Sequence, residues 1–212
     1  PTTLAVVKSP PDSIVDDMAY PVMRTARSEI VKDVMDYSAA LCDAEGRMVA
    51  QAKTIAQHLG AVPDAMQSVM REFAGDLHPG DVVAMNDPYE GGMHIPDVFL
   101  FLPIFVDGDL EAFAAVIAHQ TDMGGRVPGS NASDSTEVYQ EGLRIPPVKL
   151  YERGVLSRTM RRIIEKNVRV PERVLGDLGA QYAACKVGER ELGKLYARYG
   201  RETTRAHIAE LL

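Results

Sequence analysis

The sequence predicts an α+β fold, a mixed α/β architecture built on antiparallel hairpins with a helical C-terminal third. Three observations lead there. Two apolar runs, "DVFLFLPIF" and "LEAFAAVIAHQ", flank "VDGD", in which Asp107-Gly108 is a strong signal for a tight hairpin turn. A second hairpin is read in "YSAALCDAEGRMVAQ", turning at Asp43-Ala-Glu-Gly46. Beyond residue 150 helical spacing takes over. The expected division is a mixed α/β region over 1–150 that carries the candidate site, and a helical region over 151–212 packed on the same domain.

Each element follows from its local signals. After a loose, proline-containing opening, residues 13–36 suit a helix in which Pro21 is a kink or boundary. Helical spacing returns over 63–73 through Ala65, Met66, Val69, Met70 and Phe73, and "HPGD" ends it. A short strand over 82–85 delivers the chain into "NDPYEGGMHIPD". In the long hairpin, pairing Val106 with Asp109 sets Asp97 opposite Ala118 and Pro96 opposite His119. Pro103 makes this an interrupted or edge strand, so the register can slip. Residues 121–147 are rich in Gly, Pro and Ser and long for a passive connection, so a functional loop is expected beside the simpler reading of flexibility. Helices follow over 156–167 and from Pro171 through Tyr199, the second carrying Gly176, Gly179, Gly188 and Gly193.

Composition narrows the function classes. With 46% hydrophobic and 25% charged residues among 212, the chain is that of an ordered soluble protein. A net charge of -7 gives no general nucleic-acid footprint, although Arg158, Arg161 and Arg162 could form a local basic patch. No apolar run is long enough to cross a bilayer and the opening has no signal-peptide pattern, so no membrane partner and a cytoplasmic location are expected. Cys42 and Cys185 suit neither a compact disulfide framework nor a zinc motif and are read as thiols in a reducing compartment.

The chemistry gathers around His94-Ile-Pro-Asp97. Gly91, Gly92 and Pro96 argue for a loop rather than a helix, and a turn can still converge the two side chains. The hairpin returns His119 to their neighbourhood. Two imidazoles and a carboxylate suit Mn, Zn or Fe and can leave coordination positions open. The residues alone also admit His94 as a hydrogen-bonded loop residue, His119 as a capped strand end and Asp97 as an ordinary acid at a strand start. Asp87 and Asp122 could orient ligands or transfer protons, or could cap turns. "TDMGG" offers backbone donors to an anion, or only a turn. Glu141 and Arg144 in "YQEGLRIPP" suit active-site polar groups or a surface ion pair, while His58, His78 and His207 suit local polar roles.

Five motifs together resemble one family. "DYSAALCDAEGRMVAQ", "NDPYEGGMHIPD", "AHQTDMGG", "YQEGLRIPPVKL" and "NVRVPERVLGDLGAQ", in this order over most of the chain, resemble hydantoinase B. That family includes the B part of N-methylhydantoinase and 5-oxoprolinase and the related subunit of acetone and acetophenone carboxylases. The resemblance implies a subunit of a hetero-oligomer in which a hydantoinase A-like partner uses ATP to phosphorylate an intermediate. This subunit would then open a cyclic amide or carboxylate a ketone-derived substrate. The resemblance also implies a divalent metal, Mn or Zn with Fe as a further option, held by His94, Asp97 and His119, with Asp122, Glu141 and Asp87 as candidate catalytic groups. Family B subunits are more than twice this length, which points to an N-terminal fragment or half-length member, and to a non-catalytic assembly or metal-binding piece as the alternative function. Gln120 stands where hydantoinase relatives often carry another histidine.

Overall fold

A computed structural model describes residues 2–212, with side chains from residue 10 onward except at 56, 57 and 59. In chain order the elements are α1 (Thr2–Thr25), α2 (Glu29–Lys32), β1 (Tyr37–Asp43), β2 (Met48–Gln51), α3 (Val62–Glu72), β3 (Val82–Met85), β4 (Asp97–Val106), β5 (Asp109–His119), β6 (Val148–Glu152), β7 (Val155–Leu156), α4 (Arg158–Asn167), α5 (Pro171–Tyr199) and α6 (Arg201–Leu211). The strands form one sheet, ordered β2-β1-β5-β4-β3-β6-β7, and every neighbouring pair is antiparallel. The mixed α/β architecture with a helical C-terminal third is therefore what the sequence implied. The β6–β7 hairpin and α6 are additions to it.

Strand alternation sorts the apolar residues between two cores. Val98, Leu100, Leu102 and Ile104 of β4 pack on the face covered by α1 and α5, with Ala112, Ala114, Val116 and Ala118 of β5. Phe99 and Phe101 of β4, with Phe113 and Ile117 of β5, pack on the other face beneath Val62, Met66 and Val69 of α3. Both faces are dry, which explains why these strands read as continuous apolar runs rather than alternating ones. Each of the three buried phenylalanines contributes about 1.5–3 kcal/mol of burial. In α5, Gly188 is needed for contact: a Cβ there would lie 2.7 Å from the Met18 sulfur and 3.1 Å from the Ala114 Cβ.

Three local expectations need correction. The opening is helical from Thr2, and Pro10, Pro11 and Pro21 all lie inside α1. Burial of Ile14, Val15, Met18 and Val22 in the core shared with α5 offsets a proline penalty of about 3 kcal/mol each. The helix also stops at Thr25 instead of reaching residue 36. Asp177 of α5 accepts hydrogen bonds from the Arg27 and Ser28 amides at 2.6 and 3.1 Å, drawing the chain off the helical path.

The long hairpin turns at Asp107-Gly108 with Val106 opposite Asp109, as expected, but its register shifts between Ile104 and Phe105. Glu111 becomes the extra residue of a bulge, so Asp97 pairs with His119 rather than with Ala118. The bulged glutamate is buried and accepts hydrogen bonds from Tyr196, Arg201 and Arg205. Pro103 lies within the continuous strand β4, at a point where that strand is locally an edge, as expected. The β3 pairing ends at Phe101, so only β5 flanks the proline.

Candidate metal centre

The "NDPYEGGMHIPD" segment is an ordered strap. Asn86, fully buried at the end of β3, donates to the Ile95 and Leu143 carbonyls at 2.7 and 3.0 Å and accepts from the Ile145 amide at 2.6 Å. Asp87 caps the short 3-10 turn Pro88–Glu90 by accepting from the Tyr89 amide at 2.9 Å. Gly91 has φ +94° and lies so close to α3 that a Cβ would sit 2.5 Å from the Asp64 carbonyl carbon. Held at both ends, the strap closes with the Asp97 amide donating to the His94 carbonyl at 3.0 Å, and β4 begins.

This turn and the hairpin register bring the three expected ligands together. His94 Nε2 lies 2.9 Å and His119 Nδ1 lies 3.0 Å from the same oxygen, Oδ1 of Asp97. One ligand atom from each residue falls within 4.8 Å of the others. The Asp97 side chain is 1% exposed, His119 12% and His94 39%, so the cluster opens to solvent on the His94 side.

Two further polar residues stand beside the cluster. Asp36, just before β1, has Oδ2 4.0 Å from His119 Nδ1, and its carbonyl accepts the His119 amide at 3.0 Å. His58, in the 3-10 segment Ala56–Ala61, presents Nε2 3.2 Å from Asp36 Oδ1 and 3.7 Å from Asp97 Oδ2. His58 does have a polar partner, Ser38, but it also has this partner set at the site, which its sequence surroundings did not show. The signal for Asp36 is the pairing of Tyr37 with Ala118, which extends to put Asp36 beside His119. That pairing joins strands far apart in the chain.

The cluster pairs an ionised carboxylate with imidazoles. Burial works against ionisation of Asp97, but the hydrogen bonds from His119 and His94 and the nearby imidazoles outweigh it and pull the carboxyl down to about 2. The hydrogen bond to Asp97 raises His94 against its own burial, and the charges of Asp97, Asp36 and Glu141 add to the rise. Burial lowers His58, against the pull of Asp97 and Asp36. Asp36 Oδ1 and Asp97 Oδ2 are buried without a hydrogen-bond partner. Two imidazole nitrogens, carboxylate oxygens and these orphaned acceptors fit a divalent ion such as Mn or Zn.

The other candidates fall into distinct settings. Asp122 accepts four hydrogen bonds, from the Gly124, Gly129 and Arg169 amides and the Arg169 guanidinium, at 2.9–3.0 Å. Burial opposes its ionisation, and these donors together hold its carboxyl below the usual range. Arg169 also donates to the carbonyls of Gly124, Gly125 and Val127. Arg144 stands 3.4 Å from Asp87 and lies between the exposed rings of Tyr89 and Tyr139. Among the described residues, no hydrogen bond or ion pair engages the Glu141 carboxylate, although its charge reaches His94. Gln120 is fully buried and donates to Gln181 of α5 at 3.1 Å. Cys42 and Cys185 are buried free thiols, and burial pushes Cys42 up to about 12. No helix among the described residues is long and apolar enough to cross a membrane.

Known proteins share this arrangement of elements. The caprolactamase subunit beta of Pseudomonas jessenii is 40% identical over 211 residues, covering 100% of this chain and 36% of that protein. The crystal structure of the ATP-dependent caprolactamase from Pseudomonas jessenii matches with a TM-score of 0.89 at 38% identity, over 100% of this chain and 36% of that one. A nucleotide-free acetone carboxylase structure shares the fold with a TM-score of 0.89 at 23% identity, over 98% of this chain and 28% of that one. The chain thus spans just over a third of the caprolactamase subunit. Hydantoinase B/oxoprolinase sequences match it over residues 1–212, and the chain belongs to that family.

Proposed function

We propose that this chain is the metal-binding part of a B-type subunit in an ATP-dependent cyclic amidase, acting on an intermediate phosphorylated by a hydantoinase A-like partner. The observation that carries this reading is the His94–Asp97–His119 cluster, in a chain 40% identical to a caprolactamase subunit beta. That identity favours a cyclic amide over a ketone-derived substrate, since the likeness to acetone carboxylase, at 23%, speaks to fold alone.

His94, Asp97 and His119 would hold a divalent ion, Mn or Zn. When bound, such an ion stabilises developing oxyanion charge and acidifies water. The more exposed His94 side is the approach for the activated ring carbon, while buried Asp97 keeps the two imidazoles aimed at one point. Opening the phosphorylated ring requires water to lose a proton as it attacks the activated ring carbon and the ring nitrogen to gain one as the C–N bond breaks, leaving an acyl phosphate that a second water splits into the carboxylate and inorganic phosphate. We assign that exchange to Glu141, whose carboxylate is free of protein partners among the described residues. Asp122 and Asp87 hold the loops that flank the site.

The test is made on the full-length protein with the partner that co-purifies with it, supplied with ATP and a panel of lactams, hydantoins and ketones. ATP-dependent ring opening, lost in His94→Ala with the complex intact, is the expected outcome. ATP-dependent carboxylation of a ketone would move the assignment to the carboxylase branch. A complex that assembles without forming either product would make this segment an assembly or metal-binding piece.

A further inference from the structure

His58 has a role that a single ion between His94, Asp97 and His119 does not use. Its side chain is 1% exposed, and its Nδ1 lies 3.1 Å from the Ser38 hydroxyl oxygen. That hydroxyl has one proton, donated to the Ile55 carbonyl at 2.5 Å. Ser38 therefore accepts from His58 Nδ1–H, and in the neutral ring Nε2 is left as a lone pair.

The lone pair faces two carboxylate oxygens. Asp36 Oδ1 at 3.2 Å and Asp97 Oδ2 at 3.7 Å are the oxygens of these two residues that are buried without a hydrogen-bond partner. The His58 lone pair thus meets two further acceptors where burial makes each unpaired polar atom costly. Atoms that each bind one ion at about 2.1 Å stand about 3–4 Å from one another, the range in which both carboxylate oxygens lie from His58 Nε2.

We propose a second divalent-cation position bounded by His58 Nε2, Asp36 Oδ1 and Asp97 Oδ2, with both carboxylates bridging to the first. Asp97 turns Oδ1 to His94 and His119 and Oδ2 to His58. Asp36 turns Oδ2 towards His119 and Oδ1 to His58. Each carboxylate thus offers one oxygen to each position, the pattern by which paired ions about 3.5–4 Å apart are held in two-metal hydrolytic sites. Mixed imidazole and carboxylate ligands suit Mn or Zn at both. With three neutral imidazoles and two carboxylates, a doubly loaded centre carries net positive charge and would take an anionic oxygen group, phosphoryl or carboxylate, as its ligand.

This inference rests on the metal reading above, and stoichiometry separates the two. The full-length protein with its co-purifying partner is stripped with a chelator, equilibrated with MnCl2, freed of loose ions and measured by elemental analysis and electron paramagnetic resonance. About two manganese ions per chain with a spin-coupled signal are expected, falling to about one, uncoupled, in His58→Ala. One ion per chain in both proteins overturns the second position and leaves the first. None in either overturns both. Should His58→Ala fail to fold, the wild-type stoichiometry and spin coupling decide the question alone.

Discussion

Two buried aspartates, 25 residues apart in sequence, show the difference between holding a fold together and preparing a site. Asp122 is surrounded by donors from the protein itself: three backbone amides and a guanidinium, divided between both oxygens. Asp97 meets imidazoles at Oδ1, while Oδ2 faces a histidine nitrogen and has no hydrogen-bond partner. Both carboxyls are held below the ordinary range, so a depressed pKa does not distinguish them. Satisfaction does. A carboxylate saturated by amides has spent its lone pairs on architecture, whereas one left with orphaned acceptors has capacity for a ligand.

The sharpest way to break this contrast is to neutralise each acid in turn. Asp97→Asn removes the charge around which His94 and His119 converge, and manganese affinity should fall by more than about 100-fold in equilibrium dialysis. The metal-stripped protein should lose only part of its stability, because the lost charge-assisted bonds to His94 and His119 are partly offset by an amide N–H that can pair where Oδ2 had no partner. A large loss of stability with metal retained would show that Asp97 is the structural residue.

Asp122→Ala should do the reverse. It strands the Gly124, Gly129 and Arg169 amides and should cost about 2–4 kcal/mol in chemical denaturation. His119 precedes Asp122 by only three residues, but it is held by its pairing with Asp97 and by the Asp36 carbonyl, so the metal count of the folded fraction should stay at the wild-type value. Loss of metal in parallel with stability would merge the two regions into one functional unit.

How much of this contrast was legible in the sequence depends on the range of the interaction. The hairpin was legible because Asp107-Gly108 is a local turn signal, and it brought His119 back to Asp97. The register was off by one because a bulge at Glu111 answers to Tyr196, Arg201 and Arg205, about 90 residues downstream. Asp36 and His58 were illegible as site residues for the same reason: β1 meets β5 across the whole α3–β4 region. Asp122 reads in the sequence as a turn cap or a catalytic acid, and its partner Arg169, 47 residues on, was beyond the reach of local signals.

A smaller effect tests the support beneath the centre. Ser38→Ala removes the acceptor for His58 Nδ1–H and the donor to the Ile55 carbonyl, without touching an oxygen or nitrogen offered to a metal. Manganese affinity should weaken by about 10-fold, the usual scale for a residue that orients a ligand. Ser38→Thr keeps the hydroxyl and should restore most of it. An unchanged affinity in Ser38→Ala would mean that the His58 ring is fixed by packing alone.

The smallest effect concerns pH, and it isolates Asp122 from Asp97 by difference. Burial opposes ionisation of Asp122, but its amide donors and Arg169 win, so its folded pKa lies below the reference value of 3.8. The unfolded state therefore takes up a proton at higher pH than the folded one. The stabilisation is complete above about pH 4 and is lost as pH falls through the folded value. Urea midpoints of wild type and Asp122→Asn, followed from pH 7 towards pH 3, should run parallel at first and converge at the acid end, because only wild type loses this contribution. Asp97 and every other carboxylate titrate in both proteins and cancel. A constant gap down to pH 3 would mean that the loop is held by Arg169 and its carbonyl contacts rather than by the ionised carboxylate, and the distinction between a saturated and an unsaturated aspartate would lose its structural half.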